Sequence, residues 1–117
     1  MNLLLLILSL NPVKEFKYAK GLFEDGFYDL AETELIDFVN NYPNSIYAPE
    51  ASLLLVKALN QQGSFEKAIV KCKEFVFKYP SKKEDLLIEW AKTEIKLANF
   101  DSAIEVINRI TDKNKRS

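Results

Sequence analysis

The sequence predicts an all-α protein built from three consecutive helix-turn-helix units. Two observations carry that reading and a third agrees with it. Three segments align without gaps: GFYDLAETELIDFVNNYPNS from Gly26, GSFEKAIVKCKEFVFKYPSK from Gly63, and ANFDSAIEVINRITDKNKRS from Ala98. The matching alanines, Ala31, Ala68 and Ala103, are spaced 37 and then 35 residues apart. An internal repeat of this length sets the architecture before any single element does. Within each unit, apolar residues recur at i, i+3, i+4 and i+7, which is the helical period and not strand alternation. Helix start and stop signals then fall where the periodicity breaks.

Those signals place six helices, roughly 12–25, 28–41, 46–61, 64–78, 82–97 and 100–112. The first begins where Asn11 can cap and Pro12 can occupy the first helical position. Gly26 ends it, and the second helix runs from the aromatic residue after that glycine to the terminator Tyr42-Pro43. The third helix carries Pro49 early enough to be tolerated in its first turn. Gly63 separates it from the fourth, which Tyr79-Pro80 closes. Ser81-Lys82-Lys83-Glu84 reads as a capping box for the fifth helix. Ala98 stands at the turn before the sixth, where the first two units have glycine.

The columns of the alignment suggest roles. Ala31, Ala68 and Ala103 would let helices approach closely, and Tyr28, Phe65 and Phe100 would fill space between units. Leu35, Cys72 and Ile107 form a further column, as do Phe38, Phe75 and Ile110. Cys72 therefore reads as a small buried core residue. Before the turns, Phe16, Leu53 and Ile88 align, followed by Tyr18, Leu55 and Trp90, then Ala19, Val56 and Ala91. Trp90 is expected to pack between the second and third units.

Composition narrows the chemistry. The chain has 117 residues, 48% apolar and 28% charged, as expected of one folded domain. It contains no histidine and one cysteine, which removes Ser-His and Cys-His nucleophiles, an intrachain disulfide and a nitrogen–sulfur zinc site. Three glycines, at 21, 26 and 63, make no phosphate-binding loop. The net charge of −1 argues against a general nucleic-acid binder. No catalytic activity and no cofactor are expected.

With these residues in place, the chain resembles the tetratricopeptide repeat family. The family's small residue, Gly-aromatic turn, alanine and closing proline correspond to Ala19, Gly26-Phe27-Tyr28, Ala31 and Pro43 in the first repeat. They correspond to Val56, Gly63-Ser64-Phe65, Ala68 and Pro80 in the second. The third keeps Ala91, Phe100 and Ala103 but has no closing proline. The resemblance implies a right-handed α-solenoid of three repeats, about 12–48, 49–83 and 84–117. The junction from Phe38 to Ala51, FVNNYPNSIYAPEA, is similar to that of two groups of bacterial envelope tetratricopeptide proteins. One group is the outer-membrane lipoprotein of the β-barrel assembly machinery; the other is the Tol-Pal-associated periplasmic coordinator of envelope constriction. The chain is shorter than either and shows no lipoprotein cysteine after its first apolar run.

That run, LLLLILSL at 3–10, has the length of an export-signal core but is too short to span a bilayer. No Lys or Arg precedes it and no clean cleavage site follows. The alternative is the tail of a preceding helix. Residues 1–11 are therefore read as a signal peptide or an apolar N-terminal segment, and the expected setting is the periplasm or cell envelope, the alternative being the cytoplasm.

Family geometry makes the first helix of each repeat line a concave groove. The residues it places there are Phe16, Lys17, Lys20 and Phe23, then Leu53, Leu54, Lys57 and Asn60, then Ile88, Glu89, Lys92, Ile95 and Lys96. Glu24 and Gln61 complete the set. Phe16, Leu53 and Ile88 would form an apolar floor, and Lys20, Lys57 and Lys92 a ladder of ammonium groups. Such a groove suits a protein or peptide with apolar anchors and acidic side chains. The bland alternative is a solvated lysine-rich face, since fourteen of the sixteen basic residues are lysine. The family's carboxylate clamp is not reproduced, so capture of a free C-terminal carboxylate is not implied.

Charge is sorted along the chain: −4 over 12–48, +4 over 49–83 and −1 over 84–117. Glu24, Asp25, Asp29, Glu32, Glu34 and Asp37 would then neighbour Lys67, Lys71, Lys73 and Lys78, with some pairing between repeats. A repeat array also needs its last apolar face covered. Leu87, Leu97 and Ile104 are the residues expected to show an exposed patch, to be covered by a partner, a second copy or further sequence. The rival functional readings are a cytosolic adaptor, an accessory subunit of an enzyme complex, and a peptidoglycan- or lipid-associated structural protein. Replacing Ala68 by Leu is expected to overpack its column and cost ~1–3 kcal/mol of stability. An unchanged thermal midpoint would contradict the register.

Overall fold

The first helix starts as its sequence dictates. The Asn11 side chain accepts from the backbone N–H of Lys14 at 3.2 Å, with Pro12 inside the first turn. A computed structural model describes residues 11–116, and side-chain surroundings for residues 11–111. The run at 3–10, read as an export signal or a helix tail, lies outside the described residues. Among the described residues the elements are α1 (Pro12–Glu24), α2 (Tyr28–Asn41), α3 (Ala48–Gln61), α4 (Phe65–Lys78), a 3-10 turn (Pro80–Lys82), α5 (Lys83–Lys96) and α6 (Phe100–Arg116). They show no strand, and no helix is long and apolar enough to cross a membrane. The fold is an all-α helical repeat of the tetratricopeptide type.

The three turns inside the helix pairs are built alike. After α1, the N–H groups of Asp25, Gly26 and Phe27 donate to the carbonyls of Gly21, Phe23 and Leu22. Gln62, Gly63 and Ser64 repeat the pattern after α3, and Leu97, Ala98 and Asn99 repeat it after α5. Closing a helix this way puts one residue in the left-handed region. Gly26 (φ 85°) and Gly63 (φ 77°) do so without steric cost, but Ala98 (φ 60°) also does, with its Cβ against the following carbonyl. The repeat geometry therefore overrides the side chain's own preference at Ala98.

Three boundaries differ from expectation. The third helix begins at Ala48 rather than at 46, because Ser45 organises a turn first. The Ser45 Oγ accepts from the Tyr47 N–H at 3.1 Å, and its carbonyl accepts from Ala48 at 3.1 Å. The capping box at Ser81–Glu84 does not form. Pro80 starts a 3-10 turn in which Lys82 N–H donates back to the Tyr79 carbonyl at 3.0 Å, so Ser81 lies inside the turn and Lys82 takes the cap position without a side-chain bond. The sixth helix runs on to Arg116 instead of ending near 112.

The core runs along the array rather than sitting at its centre. Ala31, Ala68 and Ala103 are buried, as the close-approach column requires. α3 is enclosed on nearly every side, with Ala48, the run Ala51–Val56, Ala58 and Leu59 all buried. Phe16 stacks on Tyr47 (centroids 5.1 Å apart, planes at 17°) and tilts onto Phe38 at 5.5 Å, joining α1 and α2 to the entry of α3. The Tyr79 hydroxyl donates to the Pro43 carbonyl at 2.9 Å, tying the end of the second unit to the end of the first. Tyr42 holds the equivalent place one unit earlier. Its hydroxyl has no hydrogen-bond partner of good geometry, and the neighbouring Glu15 carboxylate raises its pKa.

Other columns fade in the third unit. Leu35 and Cys72 are fully buried, but Ile107 is exposed; Tyr28 and Phe65 are half-buried, but Phe100 is exposed. Leu87, expected in an exposed patch, is instead buried in the core at the 4–5 helix packing, while Ile104 is exposed and Leu97 half-buried. Trp90 does pack between the second and third units, with Lys73 Nζ 5.8 Å and Arg109 Cζ 5.2 Å from its ring centroid. Among the described residues, the acids of the first unit make no ion pair with Lys67, Lys71, Lys73 or Lys78; one pair joins the first two units, Lys20 to Glu50.

Two outcomes follow from the turns and the core. Ala98→Gly should raise stability by roughly 0.5–1 kcal/mol, because relief of the left-handed strain outweighs the added freedom of the unfolded chain. A thermal midpoint equal to or below that of the parent would contradict this. Burial, and then the Glu89 charge, push the Cys72 thiol up to about 12 from its ordinary 9.0. The proton is held more tightly folded than unfolded, so this contribution is complete below pH 9 and is lost as pH rises toward 12. Stability measured by denaturant melts should fall across that window, with a shallower slope in Cys72→Ala.

Candidate functional site

Where α1, α3 and α5 line up, their residues enclose a groove of about 430 Å³ at the junction of the second and third units. α3 contributes Lys57, Asn60 and Gln61, and α5 contributes Glu89, Lys92, Thr93 and Lys96. Phe23 of α1 and Phe65 of α4 complete its lining. The spacing explains the arrangement: Lys57 and Asn60 are three apart, and Glu89, Lys92, Thr93 and Lys96 recur at helical spacing, so each set shares one face.

A polar network fixes the wall. The buried Thr93 hydroxyl donates to the Glu89 carbonyl at 2.7 Å and lies 3.0 Å from Asn60 Oδ1. Asn60 Nδ2 donates to Glu89 Oε2 at 3.4 Å, and Lys92 Nζ stands 3.7 Å from Glu89 Oε1. The Glu89 carboxylate is thus held from both repeats, with its side chain 13% exposed. Lys57 and Lys96 make no ion pair among the described residues. Three lysines against one glutamate leave the groove with a charge of +2.

Of the residues expected in the groove, Phe23, Lys57, Asn60, Glu89, Lys92 and Lys96 come together there, as does Gln61. The apolar floor does not exist as an open surface. Two of its three residues, Phe16 and Leu53, are 5% and 8% exposed and belong to the core, as does the neighbouring Leu54 at 9%. Ile88 and Ile95 remain exposed outside the groove, and Lys17 and Glu24 are exposed away from it. Lys20 leaves the ladder by pairing with Glu50 at 3.0 Å; that hydrogen bond and charge raise its pKa. Sequence reasoning did not place Thr93 or Phe65 in the groove. Thr93 was legible as the residue one turn after Glu89, whereas Phe65 was assigned to packing between units.

Among the described residues, no cluster of acidic side chains or Cys72 is placed to hold a metal ion. The groove offers hydrogen-bond donors, ammonium groups and two aromatic rings. A tetratricopeptide-type array with such a groove can be compared with known families. The profile of the family described as "YfiO: Outer membrane lipoprotein" matches residues 11–116. The chain belongs to the YfiO outer membrane lipoprotein family. The match spans all six described helices, so it covers the groove and both ends of the array. A search of curated proteins returns no match. Membership agrees with the resemblance, seen at the Phe38–Ala51 junction, to the lipoprotein of the β-barrel assembly machinery.

Proposed function

We propose that this YfiO-family chain is a non-catalytic scaffold of the bacterial envelope that holds an acidic segment of a partner protein in the groove between its second and third repeats. The observation that carries this reading is the groove's +2 charge on a wall made rigid by Asn60, Thr93 and Glu89. Preformed donors reduce the ordering cost of binding, and unpaired lysines supply attraction to carboxylates. Phe23 and Phe65 in its lining offer aromatic surfaces for apolar anchors. The buried Phe16, Leu53 and Leu54 make the apolar share of recognition smaller than the sequence suggests. Charge and hydrogen bonding therefore select the ligand. Family membership supports envelope assembly or maintenance as the setting.

Reversing Lys57, Lys92 and Lys96 to Glu should abolish capture of the partner from detergent-solubilised envelope fractions. Lys92 and Lys96 are exposed and Lys57 is half-buried without an ion pair among the described residues, so circular dichroism should show a folded protein. Retained capture by the folded triple variant would refute the groove as the binding site. Recovery of cytosolic proteins alone by the parent chain would refute the envelope setting.

A further inference from the structure

At one end of the array the junctions between units come together. The ends of α2 and α4 and the starts of α1, α3 and α5 lie there: Phe16 stacks on Tyr47, and the Tyr79 hydroxyl reaches the Pro43 carbonyl. The first junction is the longer by two residues, since Tyr42 matches Tyr79 at a spacing of 37 and Leu53 matches Ile88 at 35. That longer loop carries Ile46, 85% exposed, and the last turn of α4 carries Phe77, 79% exposed. They are the two most exposed large apolar side chains among the described residues. Between the two junctions lies a cavity of about 320 Å³. Ser45, the neighbour of Ile46, and Lys78, the neighbour of Phe77, both line it, with Asn44 and Ser81. No acidic residue lines it. The Ser45 Oγ accepts from the Tyr47 N–H, which leaves its own proton free to donate. The Lys78 ammonium stands 5.6 Å from the Tyr79 ring centroid and makes no ion pair among the described residues.

Charge separates this end from the other. The segments 11–15, 41–50, 78–85 and 109–116 sum to +3, and the turns at the opposite end, 24–29, 61–67 and 96–101, sum to −3. The opposite end also exposes Phe27 and Phe100, but without a basic excess. A protein interface is built around a contiguous apolar core. Ile46 and Phe77 instead stand on either side of a polar cavity. A lipid surface matches that arrangement, with phosphates at one depth and acyl chains just below it. We propose that this end of the array rests on an anionic lipid surface. Lipid phosphates enter the cavity and accept from Lys78, Ser45 and Asn44, while Ile46 and Phe77 insert at the boundary between headgroups and acyl chains. The surface is separate from the groove, whose Lys57, Asn60, Gln61 and Lys96 lie toward the opposite end. A chain docked this way keeps the groove open to a partner.

Co-sedimentation of the full chain with vesicles of phosphatidylglycerol and phosphatidylcholine should exceed that with phosphatidylcholine alone. Ile46→Ser/Phe77→Ser should bind the anionic vesicles roughly tenfold more weakly or worse, as two apolar side chains no longer leave water. Lys78→Glu should lower that binding roughly tenfold through the reversed charge. All three side chains are exposed, so circular dichroism should match the parent, and the run at 3–10 is common to every sample. A Phe77→Trp copy should shift its emission to the blue on anionic vesicles and a Phe27→Trp copy should not, with Trp90 a constant background. Equal binding to both vesicle types, unweakened binding of either variant, or equal shifts in the two tryptophan copies would overturn the proposal. Release by inorganic phosphate at matched ionic strength would overturn it too, by assigning the cavity to a soluble anion. Ile46→Ser/Phe77→Ser should keep the partner capture that Lys57/Lys92/Lys96→Glu loses, so failure here and failure of the groove reading are distinguishable.

Discussion

The structure depends on one constraint: the second helix of each unit keeps an apolar face that its own partner helix cannot cover. A helix pair buries only one stripe of each member, so the remaining face must be covered by the next unit. Here Leu35 and Cys72 are covered and Ile107 is not, although all three occupy one column. The constraint explains why α3, with a unit on either side, is enclosed nearly all round, while α1 leaves Tyr18 58% exposed at the position where Leu55 and Trp90 are buried. Stability is accordingly greatest in the middle of the array and declines toward its ends.

The same stacking creates the groove. Setting α3 and α5 side by side brings Asn60 to Glu89 and Thr93 across a repeat boundary, and no single unit contains that network. It also strands Lys57 and Lys96 without partners among the described residues, while Lys20 finds Glu50 at the previous boundary. The three lysines of one alignment column thus meet three different environments. Lys20 pairs with Glu50 of the next unit, Lys57 makes no ion pair among the described residues, and Lys92 stands by Glu89 of its own helix. Column position sets where a side chain projects, and the neighbouring unit sets what it meets.

The sequence made the fold legible because repeat spacing, helical period and turn residues all pointed to one architecture. Helix ends at Asn11, Gly26, Gly63 and the Tyr-Pro terminators followed from local chemistry. The capping box at Ser81–Glu84 failed because Pro80 favours a tighter turn that competes for the same residues, a choice made by backbone bonds that a four-residue pattern does not show. Half of the groove was legible, since projection from the first helices follows from spacing alone. Its apolar floor was misread because Phe16 and Leu53 share that spacing with the exposed Ile88, and packing against neighbouring helices decides between core and surface. Such packing, including the Phe16–Tyr47–Phe38 cluster, joins several helices, and no single helix records it. Leu87 was misplaced for the same reason.

Native-state hydrogen exchange in a dilute, monomeric sample tests the stacking constraint most directly. Amides of α3 should exchange most slowly, through near-global unfolding, with α1 and α6 opening locally at lower free energy. Equal protection of α6 and α3 under those conditions would contradict the account, because it would mean that the third unit holds its second helix without a neighbour.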